Sequence, residues 1–239
     1  MVAKPGGAPT KFADLLDYEL KKNPDKQIQF GPDGKPLDAL SNPYVVIRDK
    51  TKGGFLIVAD AGGNDVLKVS KKGKVSTLFV PPVVTTGACK TLENNTASGF
   101  GCDPVPTGLA FGPKGLLYVS ALTAEVPGEG RVYVVDPKNG KVVRTIKGLT
   151  APTGVAVADN GTVYTSEVLE GAGPVDPTTI GQIVKTTPGG KRTTAQVTQP
   201  SGLIWTDGKL YASAFAVAGF FGDPAEAGQM IRVRQAAFS

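Results

Sequence analysis

Two carboxylates stand at the ends of similar strand-like runs, Asp60 closing LIVAD and Glu167 closing TVYTSE, and Asn64 follows the first across a glycine pair in VADAGGNDVLKV. Side-chain oxygens of this type are the ligands a hard cation such as calcium takes, so Asp60, Asn64 and Glu167 form a candidate metal set. Glu125, in AEVPGEG, is a further ligand-binding candidate, and so is the acidic insert LEGAGPVDPTTIG at 169–181. Loops carry binding residues more often than the strands beneath them. A second reading gives Asp60 and Asn64 a local task, capping the Gly-Gly turn through side-chain to backbone hydrogen bonds.

Other chemistries are removed by composition. The chain has no histidine, which excludes Ser-His-Asp and Cys-His nucleophilic sites and His-ligated zinc. GGND lacks the G-K-[ST] continuation of a phosphate loop, and no paired-carboxylate motif stands out. The expectation is a protein that is not an enzyme and needs no cofactor, with calcium as the sole candidate ion.

The elements that position these residues repeat along the chain. NPYVVI, VPTGLA, APTGVA and QPSGLI begin alike, with prolines at 43, 106, 152 and 200. The last two intervals are nearly equal, and the first is longer because it holds an insert bounded by two cysteines. A second strand follows each proline, as GFLIVAD, GLLYVSA, GTVYTSE and GKLYASA, and a third follows a glycine, as GNDVLKVS, GRVYVVD, GQIVKTT and GQMIRVR. Three units add a fourth, GKVSTLF, GKVVRTI and GKRTTAQV. Four short strands per unit of about 45 residues, joined by glycine turns, predict β-propeller blades. The fold class is therefore all-β, with about four blades spanning 42–104, 105–148, 149–197 and 198–239.

Residues 1–41 read as a helix and a closing or linking segment. Phe12, Leu15, Leu16 and Leu20 fall on one helical face, with Asp14 and Asp17 early and Lys21 and Lys22 late, as the helix dipole favours. Asn23-Pro24 ends the helix. The last unit lacks a fourth strand, and the alternating stretch from Gln27 to Phe30 is the candidate to supply it.

The net charge of +5 comes from 26 Lys+Arg against 21 Asp+Glu. Many lysines sit at turn tips, as in KKGK, KNGK and PGGK, not in a stripe interleaved with aromatics, so nucleic acid is not an expected partner. No run is long and apolar enough to enter a membrane, and MVAKPGGAPT has no apolar signal region. Cys89 and Cys102 bracket a polar loop. They read either as a disulfide, which favours an oxidising compartment, or as two unpaired thiols in a cytosolic loop.

The combination of ADLLDYELKKNPD, SNPYVVI, LIVADAGGNDVLKV with GKVST behind it, CDPVPTGLAFGPKGLLYVSALT and GQIVKTTPGG resembles the ScyD/ScyE family of secreted six-bladed propellers, broadly related to NHL-repeat proteins. The likeness runs from about Phe12 onward. Family members carry about two further blades and a secretion signal ahead of this region, so the chain resembles the C-terminal four. The resemblance implies an extracytoplasmic or secreted protein with open blade edges, covered by a protein partner or by self-association sooner than by closure of four blades, the third outcome being a stable fragment of a longer native chain. It implies no catalytic residues. The function expected is a non-enzymatic binding or scaffold module. The alternative is a calcium-dependent hydrolase of the lactonase-like propeller type, its ion held by Asp60, Asn64 and Glu167.

Overall fold

The computed structural model describes residues 7–49, 53–169, 176, 179–221 and 228–239. Its strands form four antiparallel sheets in chain order. The first holds β1 (Pro43–Arg48), β2 (Leu56–Asp60), β3 (Asp65–Val69) and β4 (Val75–Phe79). The second holds β5 (Pro106–Phe111), β6 (Leu117–Ala121), β7 (Gly130–Asp136) and β8 (Lys141–Leu149). The third holds β9 (Pro152–Val157), β10 (Val163–Glu167), β11 (Gln182–Thr186) and β12 (Arg192–Gln196). The fourth holds β13 (Leu203–Thr206), β14 (Lys209–Ala214) and β15 (Gln229–Val233). Within each sheet the strands pair in sequence order, and the first strands β1, β5, β9 and β13 lie side by side in that order. These are the blades of a β-propeller, each a meander whose first strand faces the axis.

Alternation of side chains across each strand sends one set to each neighbouring blade. In the second sheet, Leu117, Val119, Ala121, Tyr133 and Val135 pack against Ile57, Ala59, Val66 and Phe79 of the first. Tyr118, Val132, Val134 and Ile146, from its other face, pack against Val155, Val157, Val163 and Val184 of the third. The third meets the fourth through Ala156, Tyr164, Ile183 and Ala195 on Leu210, Ala212, Ala214 and Val233. A sheet buried on both faces reads as a continuous apolar run, which is why β6 and β9 are buried at every position. In β13 every second residue is exposed, and in β1 all are exposed but Val45 and Ile47. The first and fourth blades therefore each keep one face without a neighbouring blade among the described residues.

The N-terminal helix α1 (Leu15–Lys22) starts on Asp14, whose carboxylate accepts from Asp17 N–H, and stops at left-handed Asn23. Its packing face differs from the expectation. Phe12, Leu15 and Tyr18 lie on Val58, Leu67 and Val69 of the first sheet, and the Tyr18 hydroxyl accepts from Thr77 N–H at 3.0 Å. Leu16 and Leu20 remain half-exposed while Glu19 is buried. The sheet selects the side where a tyrosine and a carboxyl find polar partners, and that side is offset from the most apolar one.

The segment from Gln27 to Phe30 does not complete the fourth blade. Ile28 N–H bonds Asn95 O at 2.8 Å and the Gln27 amide bonds Asp103 at 2.5 Å, which holds the segment on the cysteine loop beside the first blade. The fourth sheet keeps three strands among the described residues. Beyond β15 the chain turns back, and Ser239 exchanges two backbone hydrogen bonds with Thr194 on the outer strand β12. Phe238 and Gln235 meet the ring and hydroxyl of Tyr164 on the way. Cys89 and Cys102 are joined as a buried disulfide, worth about 3 kcal/mol for a loop of this length.

Candidate functional site

Two of the predicted carboxylates, Asp60 and Glu167, brace the chain that enters their blades. Asp60 Oδ1 accepts from Asn42 N–H at 2.5 Å and Gly63 N–H at 3.2 Å, and Oδ2 from the Ser41 hydroxyl at 2.6 Å. Glu167 holds the matching place in the third blade: Oε1 accepts from Thr150 N–H and Oε2 from the Gln182 amide, both at 2.6 Å. Each carboxylate thus fixes the residues leading to an innermost strand, Pro43 in one blade and Pro152 in the other. The capping reading of Asp60 is present in its bond to Gly63.

Asn64 does something else. Its side-chain oxygen accepts from Val105 N–H at 3.2 Å, and its amide donates to Asp25 at 3.1 Å. Val105 has φ of 49°, a left-handed conformation costly for a β-branched residue. Ala151 and Gln199 adopt it at the same point of the next two blades, so this corner recurs ahead of the prolines at 106, 152 and 200.

The structure brings Asp60 and Asn64 together at the β2–β3 turn. Glu167 lies two sheets away, and Glu125 is exposed in the 124–130 loop. Residues 170–175 and 177–178 of the 169–181 insert lie outside the described residues. Among the described residues, no three Asp, Glu or Cys side chains are disposed as a ready-made metal shell.

Around the turn, however, stands a cluster of acids. Asp65, opposite Asp60 in the β2–β3 pairing, is 1% exposed, and among the described residues neither of its carboxyl oxygens has a hydrogen-bond partner. Glu19, from α1, accepts from the Gln29 amide at 2.9 Å. Asp25 takes the Asn64 amide, and Asp103 takes the amides of Gln27 and Asn94. Burial pushes the Asp65 carboxyl up to about 9, with Asp60, Glu19 and Asp25 adding to the rise. Burial also raises Glu19 to about 7 against the opposing Gln29 hydrogen bond, and it raises Asp25. Sequence reasoning missed Glu19, Asp25, Asp65 and Asp103. The signals available were an acid beside the predicted apolar helix face and the acid directly after Asn64.

A second repeated arrangement joins the blades. The Ser120 hydroxyl of β6 donates to Thr153 O of the third blade, and the Ser166 hydroxyl of β10 donates to Ser201 O of the fourth. Gly108 and Gly154 make room for these contacts: a Cβ on Gly108 would lie 2.9 Å from Thr153 O, and one on Gly154 would lie 2.1 Å from Ser201 O. Gly202 and Ser213 hold the same places in the fourth blade. There the Ser213 hydroxyl accepts from Gly202 N–H at 2.8 Å, and among the described residues no carbonyl takes its proton. A Cβ on Gly202 would meet only Ser213 Oγ, at 3.7 Å. The two end blades touch through the 3.2 Å hydrogen bond between the hydroxyls of Tyr44 and Ser201.

No family model matches the chain, and no curated protein matches it in sequence. Solved structures do match. A protein of unknown function from Bacteroides caccae is 12% identical, with a TM-score of 0.51, over 85% of this chain and 61% of its own. A gluconolactonase from Xanthomonas campestris is 18% identical, with a TM-score of 0.50, over 78% and 57%. Virginiamycin B lyase from Staphylococcus aureus is 15% identical, with a TM-score of 0.49, over 86% and 61%. The chain thus spans about three fifths of the length of these proteins. At such identities the likeness carries the fold alone: the chain has the β-propeller fold.

Proposed function

We propose that the protein is a secreted, non-enzymatic propeller module of the ScyD/ScyE type that acts as a binding scaffold and associates with a second copy of itself through its end blades. The observation that carries this reading is the unfilled joint on the fourth sheet. Gly202 and Ser213 repeat a device that receives a neighbouring strand at two other places in the chain, and here they face outward. Beside them Ile204 and Met230 are 57% and 83% exposed. The first sheet offers the complementary end: Val46 is 58% exposed, and between β1 and α1 runs a groove of about 650 Å³ lined by Phe12, Leu15, Tyr44, Val46 and Val58. A head-to-tail pair would set the Tyr44 carbonyl of one copy where Thr153 and Ser201 present theirs. Two such joints close a ring of four plus four blades, within the range of about 4–8 that propellers adopt. Exposed apolar faces of this sort mark interaction surfaces, and the disulfide suits an extracytoplasmic setting.

The calcium-dependent hydrolase reading finds less support, because Asp60 and Glu167 stand in the first and third sheets and do not share one site.

Sedimentation velocity over a hundredfold range of concentration tests the proposal. The intact chain should associate, and the double variant Gly202→Val with Met230→Lys should remain monomeric with unchanged circular dichroism. A wild-type chain that is monomeric throughout overturns it, as does a double variant that associates equally well.

A further inference from the structure

We infer that the acidic cluster where α1 meets the β2–β3 turn is a divalent-cation site, in which Glu19, Asp60 and Asp65 hold a calcium-like ion with Asp25 beside them. This is a different set from Asp60, Asn64 and Glu167, and it lies between the N-terminal arm and the first blade.

Three observations converge. The first is geometric. A point one bond from the Gly63 Cα, on the side a Cβ would take, lies 3.3 Å from Glu19 Oε2, 3.6 Å from the Asp60 carboxyl carbon and 3.6 Å from Asp65 Oδ1. Three carboxyl groups from three separate elements therefore converge where glycine leaves space.

The second is the state of Asp65. It is 1% exposed, and among the described residues both its oxygens are unpartnered, while the donors around it are directed elsewhere: Gly63 N–H to Asp60, the Gln29 amide to Glu19 and the Asn64 amide to Asp25. A buried carboxyl left without a donor is costly unless a cation or a proton meets it.

The third is charge. The groups acting electrostatically on Asp65 are Asp60, Glu19 and Asp25, all of one sign, and those acting on Glu19 are Asp25 and Asp60. No lysine or arginine is among them. Carboxyl oxygens gathered without a counter-charge are what a hard divalent cation selects. Among the described residues these carboxyl groups do not stand as a preformed shell, so binding an ion would draw Glu19 and Asp65 toward the space above Gly63, with Asp60 already held there by its own donors. Glu19 also borders a narrow crevice with Asp25, Gln27, Asp38 and Asn95, which places the cluster near solvent.

Calcium alone serves as the probe. The full chain is melted in chelator and in millimolar calcium, and bound calcium is counted after gel filtration. The expected result is one tightly held ion per chain and a melting temperature several degrees higher with calcium. Asp65→Asn and Glu19→Gln should each abolish both effects, whereas Glu167→Gln should retain them. Should Asp65→Asn fail to fold, Glu19→Gln decides the matter. The proposal is overturned if calcium leaves the wild-type melting temperature unchanged, if either cluster variant keeps the full shift, or if Glu167→Gln alone removes it. Association of the chain is read separately by sedimentation, so failure of one proposal leaves the other standing.

Discussion

Asp60 and Asp65 face each other across one turn and meet opposite fates. Asp60 is supplied with three donors; Asp65 has none among the described residues. The difference sets a pH dependence whenever cations are removed. The Asp65 carboxyl titrates near 3.8 when unperturbed and at about 9 in the folded chain, with Glu19 raised to about 7 in the same place. The folded state therefore keeps protons that the unfolded chain has lost, and stability falls as pH rises through that interval. Its full contribution is present below the unperturbed value and is gone above the folded one. In chelator, the melting temperature should fall steadily between about pH 5 and pH 9, and Asp65→Asn should flatten the profile and melt higher than wild type at the alkaline end. A profile that is flat in wild type, or equally steep in the variant, would contradict the assignment. Little of this cluster was legible in the sequence, because its members lie on α1, the following arm and the turn. Nothing in their spacing announces that Gly63 lets them converge.

Blades were the most legible part of the chain, since proline and glycine punctuate them and the punctuation has a mechanical cause. The glycine of each P-x-G corner is required where the next blade's backbone passes, and only there. Gly154 faces Ser201 O at a distance that no Cβ tolerates, whereas Gly202 opens on free space. Gly154→Ala should therefore destabilise by about 2–3 kcal/mol through overpacking against rigid backbone. Gly202→Ala should stay within about 0.5 kcal/mol of wild type. Urea midpoints of the two variants at low protein concentration separate the cases, and equal losses would mean that the glycine serves the turn and not the joint. Two elements read less well. The helix turned Tyr18 and Glu19 inward in place of Leu16 and Leu20, and Gln27 to Phe30 settled on the cysteine loop. In both cases polar partners outweighed apolar pattern, and sequence periodicity records only the pattern.

At the scale of the whole molecule, four blades form an arc whose ends are treated unequally. The N-terminal arm covers part of the first sheet through Phe12, Leu15 and Tyr18, while among the described residues nothing covers the open face of the fourth sheet, and the C-terminal tail fastens Ser239 to the third blade. Phe238 sits 5.6 Å from the Tyr164 ring and under the Lys185 ammonium, so this tail clamps the joint between the last two blades from behind. The bare face presents Ile204, Met230 and, between them, Tyr211, paired with Ile204 on one side and Arg232 on the other. If a second copy occupies that face, association and folding are linked by mass action, and stability becomes a function of protein concentration. The wild-type melting temperature should then climb as the chain is concentrated, and that of Met230→Lys should not, because the lysine would have to be buried without a partner at the joint. Differential scanning calorimetry across a hundredfold dilution measures this directly. Parallel, concentration-independent melting of both proteins would show that the exposed apolar face is tolerated by a solitary arc and that the Gly202–Ser213 joint receives no second copy.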